Sequence, residues 1–158
     1  MSHLRRAVTW FRSLAEKAQW MDAAASLDAR DPVVAQLARI LVIGASDPRE
    51  RAQRLHRFVR DRVWYSRDPH GIEMTPDARY ILETGTEDCD GKARLLVALV
   101  RALRDPRLDA RLRSVWKGGA FTHAQAEIRC GNGPWTLAEL IVRGVELGAA
   151  PDDAPEVI

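Results

Sequence analysis

The most constraining feature of the sequence is residues 88–103, a stretch that is apolar on nearly every face of a helix. Beyond its polar start, Arg94 and Arg101 form the polar stripe. A helix that is apolar almost all round lies in the middle of a domain. The rest of the chain is therefore expected to fold around this helix.

The segments before this central stretch are predicted to be helical. Apolar residues of the first one recur at steps of three and four, as in an amphipathic helix. They are Ala7, Trp10, Phe11, Leu14, Ala15, Ala18 and Met21. Asp31 and Pro32 begin a second helix that runs to about Gly44, and we expect it to be buried. Residues 47–50 resemble a capping box ahead of a third helix.

The third helix has an inward stripe and an arginine-rich remainder. Its stripe consists of Ala52, Leu55, Phe58, Val59 and Val63. The arginines that fall mostly outside it are Arg51, Arg54, Arg57 and Arg60. They can bind an acidic or nucleic-acid partner, but we interpret them as a solvated face. A loop over residues 63–76 and a short helix at residues 77–82, ending at Gly85, follow.

The period changes after the central helix, and three short strands separated by glycine-containing turns are predicted. They cover residues 110–116, 122–129 and 135–140. Helices followed by strands predict an α+β fold with a small antiparallel sheet. A chain of 158 residues suits one domain. We divide it into an N-terminal helical segment packing on the core (1–46), the core (47–148) and a tail (149–158).

Charge and cysteine content exclude several classes of function. With 24 Lys and Arg against 22 Asp and Glu, a net charge of +2 does not favour nucleic acid as a partner. The two cysteines have neither the number nor the spacing of a zinc site or disulfide framework. We expect no metal, no cofactor and, without a long apolar stretch, no membrane contact. The expected location is the cytoplasm, with a virus particle as the alternative.

Cys89 is the candidate nucleophile because it lies at the predicted start of the central helix. Unpaired N–H groups and the helix dipole favour a thiolate there, and the same N–H groups can bind an oxyanion. The alternative is a small apolar core residue. The polar neighbours in residues 86–91 favour an edge position instead.

His123 and Glu139 are candidates for the groups that assist this thiol. His123 lies in a predicted strand, where its imidazole can accept the thiol proton. Glu139 lies on the next strand, and a hairpin can place it beside His123 to fix the ring tautomer. A structural histidine and a surface carboxylate are the alternatives.

Several other side chains are candidates for parts of a site. Trp64 and Tyr65 can line a substrate cleft, although core packing is the alternative. Cys130, before a Gly-Asn-Gly turn, is interpreted as a structural thiol at a strand end. His70 is assigned to a solvated loop, and His56 carries no functional signal.

Four motifs in order resemble the transglutaminase-like superfamily, a group with a papain-like fold. They are Phe58–Tyr65, the Asp-Cys-Asp start of the central helix, His123–Glu127 and Trp135–Glu139. The resemblance implies Cys89 as nucleophile, His123 as general base and acid, and Glu139 as orienting acid. It is strongest to bacteriophage and prophage versions, which implies a viral context.

The sequence departs from the family pattern at three positions. Glu87 replaces a frequent glycine, Gln125 an aromatic residue and Glu139 an aspartate. Glu87 would oppose thiolate formation unless it points to solvent. Gln125 can instead help shape the substrate site, beside Trp64 and Tyr65.

The predicted function is cysteine-dependent acyl transfer on peptide or glutamine-type amides through a thioester, with hydrolysis favoured over crosslinking. The predicted partner is a protein or peptide substrate. The alternative is a noncatalytic assembly or binding protein of the same fold, docked on a partner through its first helix.

Overall fold

The computed structural model describes residues 14–72, 74–117 and 120–149, and side chains within these ranges except at 14–15 and 114–124. Its elements are α1 (Leu14–Asp28), α2 (Pro32–Leu41), α3 (Pro48–Arg62), β1 (Trp64–Tyr65), α4 (Ala78–Thr84), β2 (Thr86–Glu87), α5 (Cys89–Ala102), β3 (Leu108–Lys117), β4 (Ala120–Cys130) and β5 (Trp135–Ala138). The predicted α+β fold is confirmed. None of these helices is long and apolar enough to cross a lipid bilayer.

Aspartates define where four of the helices begin. The N-caps of α2, α3, α4 and α5 are Asp31, Asp47, Asp77 and Asp88, and each side chain accepts a hydrogen bond from a backbone N–H of the first turn. Such a cap contributes about 1 kcal/mol to stability. Gly85 ends α4 with φ +70°, a left-handed conformation that favours glycine. These local signals explain why the predicted starts of α2 to α5 agree with the structure.

Helix α5 is the centre of the domain. Every residue from Asp90 to Val100 is buried. The helix contacts α1, α2, α3 and α4, and it also contacts β2, β3 and β4. The predicted buried helix that starts at the cysteine is confirmed.

The sheet has the order β3-β4-β5, with both pairings antiparallel. Ala110, Ala126, Ile128 and Ala138 are buried and belong to the same core cluster as the apolar residues of α5. Three of these four residues are alanines, which lets the sheet approach the helix closely. The close approach holds β3 and β4 against α5.

Helix α1 is joined to both α5 and β3 by one pair of side chains. Asp22 accepts from Nη2 of Arg101 at 2.8 Å and from the backbone N–H of Leu112 at 3.3 Å. Arg101 also donates to the carbonyl oxygen of Ala110 at 3.0 Å. The positions of the predicted first helix before residue 14, and the predicted tail from residue 150, lie outside the described residues.

Three expectations about burial were wrong. Only one side of α2 is covered, since Val34 is buried but Ile40 is 53% exposed. Arg60, assigned to a solvated face, is buried and donates to the carbonyl oxygen of Val145 at 2.7 Å. Arg94, assigned to a polar stripe, is buried in an ion pair with Asp28. The Asp28 partner of Arg94 and the Val145 partner of Arg60 are remote in sequence, so local periodicity could not reveal these contacts.

Candidate active site

Cys89 is the first residue of α5, and its side chain is half-buried. The preceding residue, Asp88, caps the helix by accepting from the N–H of Gly91 at 3.0 Å. The carbonyl of Asp88 accepts from the N–H of Lys92. The sulfur is therefore held where a buried helix opens towards solvent, the environment in which a thiolate is favoured.

A short parallel pair of strands lies directly before Cys89. Trp64 is paired with Thr86, and Tyr65 with Glu87. Trp64 is 62% exposed and Tyr65 is 38% exposed, so the alternative of core packing is wrong for both. The guanidinium of Arg143 lies 4.2 Å from the centroid of the Trp64 ring. Two partly exposed aromatic rings thus adjoin the segment that carries the thiol.

Glu87 does not point to solvent. Its side chain is buried over Gly91, and its carboxylate accepts from the N–H of Asp88 at 2.9 Å. A Cβ atom on Gly91 would lie 1.9 Å from Cγ of Glu87, so this packing requires glycine. Because Glu87 is buried rather than pointing to solvent, a charge on its carboxylate would oppose formation of the Cys89 thiolate.

Protonation of Asp88 reduces the negative charge around Cys89. Burial raises the pKa of Asp88 to about 8, and the neighbouring carboxylates of Asp90 and Glu87 add to the effect. Asp88 therefore carries a proton through much of the neutral range. A neutral acid still accepts the N–H of Gly91, so the cap remains intact.

Three carboxylates of this region are spaced as metal ligands would be. Oxygens of Asp68, Glu87 and Asp88 lie within 4.8 Å of one another. Each of them already bonds the backbone: Asp68 accepts from the N–H of Met74, and the other two form the bonds described above. These bonds to the backbone explain why the three carboxylates lie close together without invoking a metal ion.

The predicted base lies on the strand beside α5. The backbone of His123 belongs to β4, opposite Val115. Its imidazole falls outside the described side chains, so its approach to the sulfur stays a prediction. Gln125 is half-buried and lies two residues along the same strand, opposite Arg113.

Glu139 lies one residue beyond β5 rather than within a strand. Its Oε1 accepts from the N–H of Ile141 at 2.7 Å and of Val142 at 3.3 Å, so it shapes the turn after the strand. The last β4–β5 pair is Ala126 with Ala138, which leaves Glu139 at the level of Gln125. His123 lies two residues along β4 from that level, so the orienting role of Glu139 stays a prediction.

Lys92, one turn after Cys89, was missed in the sequence. It is 1% exposed, and its Nζ donates to the carbonyl oxygens of Val63 at 2.7 Å and Arg60 at 3.2 Å. Burial lowers its pKa to about 8, although the Glu139 carboxylate acts in the opposite direction. Its signal was a lysine inside a stretch that is otherwise apolar.

His56 was also missed. It is fully buried in α3, and its Nε2 donates to the backbone oxygen of Glu139. Its Nδ1 has no hydrogen-bond partner among the described residues. Burial lowers the pKa of His56, which keeps the ring neutral. Its signal was its position next to Leu55, on the inward side of α3.

Cys89 is also linked to α1, through the side chain of Asp90. Sγ of Cys89 lies 3.4 Å from Oδ1 of Asp90, to which the thiol can donate. The other oxygen of Asp90 is paired with the ammonium of Lys17. The site therefore combines a thiol at a helix start, several carboxylates and buried cations, on α1, α5 and the β4–β5 hairpin.

Comparisons with known proteins agree with this architecture. The family model described as the transglutaminase-like superfamily matches residues 35–140, more than half of the chain. No curated protein matches the sequence. A solved structure of a putative protease from Parabacteroides distasonis is similar, with 11% sequence identity and a TM-score of 0.52. The alignment covers 83% of this chain and 32% of that one, so this chain spans about a third of that protein's length.

At this identity the structural likeness shows the fold alone. The family match covers α5, β3, β4 and β5, which are the elements that carry the candidate site. The chain belongs to the transglutaminase-like superfamily.

Proposed function

We propose that the protein is a cysteine-dependent acyl-transfer enzyme that hydrolyses peptide or glutamine-type amides through a thioester on Cys89. The observation that carries the proposal is the half-buried thiol at the first residue of the buried helix α5. Membership of the superfamily supports an enzyme of the peptidase or transglutaminase kind. The similar solved structure, described as a protease, also supports it.

In the proposed reaction His123 takes the proton of the Cys89 thiol, and the sulfur attacks the amide carbonyl carbon. The C–N bond then breaks, and the amine leaves with the proton held by His123. His123 next takes a proton from water, whose oxygen attacks the thioester carbonyl carbon. The C–S bond then breaks, His123 returns the proton to the sulfur, and a carboxylic acid and the free thiol are released. Glu139 would hold the imidazole in the required tautomer.

The start of α5 would stabilise the oxyanion formed in both steps. Asp88 bonds the N–H groups of Gly91 and Lys92, through its side chain and carbonyl. We propose backbone N–H groups of the first turn of α5, next to the sulfur, as the oxyanion donors. Removing one such donor from an enzyme typically lowers kcat by about 100- to 1000-fold.

The proposed substrate is an extended peptide or a side-chain amide. The exposed rings of Trp64 and Tyr65 offer apolar contacts beside β2. Gln125 offers an amide on the strand that carries His123. We favour hydrolysis over transfer to an amine, as predicted from the sequence.

Alkylation of the two cysteines tests the activation of Cys89, with Cys130 as the internal control. Burial raises the pKa of the Cys130 thiol, so we expect it to react with iodoacetamide only at high pH. Cys89 should react well below the pH of an ordinary thiol, and His123→Ala should remove that difference. Peptide mapping by mass spectrometry assigns each rate to its cysteine.

Activity is tested with the full chain on a library of peptides and glutamine-containing proteins, with and without a fluorescent primary amine. We expect amide hydrolysis that Cys89→Ala reduces by about 1000-fold or more. Cys130→Ala should retain it. Incorporation of the amine as the main product would contradict hydrolysis and identify a crosslinking enzyme.

An ordinary reactivity of Cys89 together with no hydrolysis would contradict the proposal. The noncatalytic assembly or binding protein inferred as the alternative from the sequence would then be favoured. The phage or prophage context is a separate prediction from sequence and depends on neither outcome.

A further inference from the structure

An ion pair that joins α1 to α5 lies next to the candidate nucleophile. Lys17 on α1 pairs with Asp90 on α5, and their side chains are only 10% and 6% exposed. Oδ1 of the same carboxylate lies 3.4 Å from Sγ of Cys89. Residue 17 precedes the family match, which begins at residue 35.

A buried carboxylate at this distance would oppose ionisation of the thiol, because two like charges in a partly buried site repel each other. The charged and titratable groups around the start of α5 come from several elements. They are Asp68, Glu87, Asp88, Asp90, Lys92 and Glu139, with Lys17 from α1. Among these, Lys17 is the cation that pairs directly with the carboxylate touching the sulfur.

We propose that Lys17 is a positioning residue that neutralises and orients Asp90, so that Cys89 ionises readily and α1 forms part of the reactive site. The inference rests on the proposed role of Cys89 as nucleophile. It assigns a task in that chemistry to a helix that the family resemblance does not reach.

Docking of α1 on the core does not depend on this pair. Asp28 at the end of α1 is bonded by Arg94 at 2.6 and 3.0 Å. Asp22 is bonded by Arg101 at 2.8 Å. Both arginines belong to α5, so the helix remains attached when Lys17 is replaced, and an effect on Cys89 can be separated from a loss of docking.

Replacing Lys17 and replacing Asp90 should shift the pH at which Cys89 is half alkylated in opposite directions. Lys17→Met leaves the Asp90 carboxylate uncompensated and should raise the pH at which Cys89 is half alkylated by about one unit. Asp90→Asn leaves the ammonium of Lys17 beside the sulfur and should lower that pH. The double variant should return close to the parent protein, and Lys17→Arg should retain most of the parent reactivity.

The experiment measures the iodoacetamide rate against pH in the full chain carrying Cys130→Ala. Arg101→Met is the matched control, because it breaks another ion pair between α1 and α5 and should leave the Cys89 profile unchanged. Near-ultraviolet circular dichroism verifies that every variant is folded. Opposite shifts in Lys17→Met and Asp90→Asn support the inference.

The inference is overturned if Lys17→Met leaves the profile unchanged or shifts it no more than Arg101→Met does. Shifts of the same sign in Lys17→Met and Asp90→Asn would overturn it as well. A variant that unfolds is recognised by circular dichroism, and Asp90→Asn then still tests the sign. Failure of the proposed function is a different result: an unactivated Cys89 in the parent chain and no hydrolysis, whatever shift the variants produce.

Discussion

Three acidic residues flank Cys89 at the start of α5, and each of them has a partner in the fold. Glu87 is buried over Gly91, Asp88 acts as the N-cap and Asp90 is paired with Lys17. Each carboxylate thus has a local partner, and burial gives Asp88 a pKa of about 8. The acidic motif is therefore much less negative at neutral pH than its composition indicates.

The contact between Glu87 and Gly91 gives a prediction about stability. Gly91→Ala would place Cβ 1.9 Å from Cγ of Glu87 and expel the Glu87 side chain. We expect a loss of about 1–3 kcal/mol in the free energy of unfolding, although alanine favours a helix. Urea unfolding followed by circular dichroism measures the change.

The matched control is the double variant Glu87→Ala with Gly91→Ala, in which the long side chain is absent. It should be more stable than Gly91→Ala alone. An unfolding midpoint of Gly91→Ala equal to that of the parent protein would show that Glu87 yields without cost.

Among the elements, α3 and α5 are connected by the buried ammonium of Lys92. It donates to the carbonyl of Arg60 in the last turn of α3 and to that of Val63, where the helix dipole favours a cation. The end of α3 leads directly into β1, which pairs with β2 just before Cys89. This connection fixes where the two aromatic residues lie relative to the thiol.

The lowered pKa of Lys92 should make the stability of the protein depend on pH. This pKa is about 8 in the folded protein and 10.5 in the reference state, so the unfolded chain binds more protons between these values. Stability should therefore rise with pH from about 8 to 10.5, by up to about 3 kcal/mol. Lys92→Met should lack this rise in urea unfolding measured across that range.

Subtracting the two pH profiles removes the titration of groups common to both proteins. Parallel profiles for the parent and Lys92→Met would contradict a lowered pKa. A comparison with Lys117→Met tests for a general effect of removing one lysine.

Elements with local signals were predictable from the sequence, and side chains with remote partners were not. Asp-Pro steps, the aspartate caps and Gly85 encode the starts and ends of helices within a few residues. The burial of Arg60 depends on Val145, and that of His56 on the backbone of Glu139. The His123 and Glu139 roles came from motif order, which places strands but not side chains.

At the scale of the whole molecule, α1 and the family core share a buried ion pair. Asp28 accepts two hydrogen bonds from the Arg94 guanidinium and one from the N–H of Ala78 on α4. Both side chains are less than 10% exposed. The predicted boundary between residues 46 and 47 would therefore separate parts of one buried network.

Replacing Asp28 tests whether these parts unfold together. Asp28→Ala leaves the buried guanidinium of Arg94 uncompensated and should cost about 3–5 kcal/mol. Asp22→Ala is the control, because Asp22 is 38% exposed and its ion pair should contribute about 1 kcal/mol or less. Urea unfolding monitored by tryptophan fluorescence and by circular dichroism gives both values.

Coincident transitions in the two signals would show a single cooperative unit. A small effect of Asp28→Ala, or an early transition that removes only part of the helical circular dichroism signal, would instead support an N-terminal segment that unfolds by itself.

The bonds from Asp22 and Arg101 to β3 also bear on how molecules meet in solution. β3 is an outer strand of its sheet, and an outer strand whose peptide groups are open invites a strand from another chain. The N–H of Leu112 and the carbonyl of Ala110 are already occupied by those two side chains. Side chains of α1 and α5 therefore block edge-to-edge aggregation along this stretch of β3.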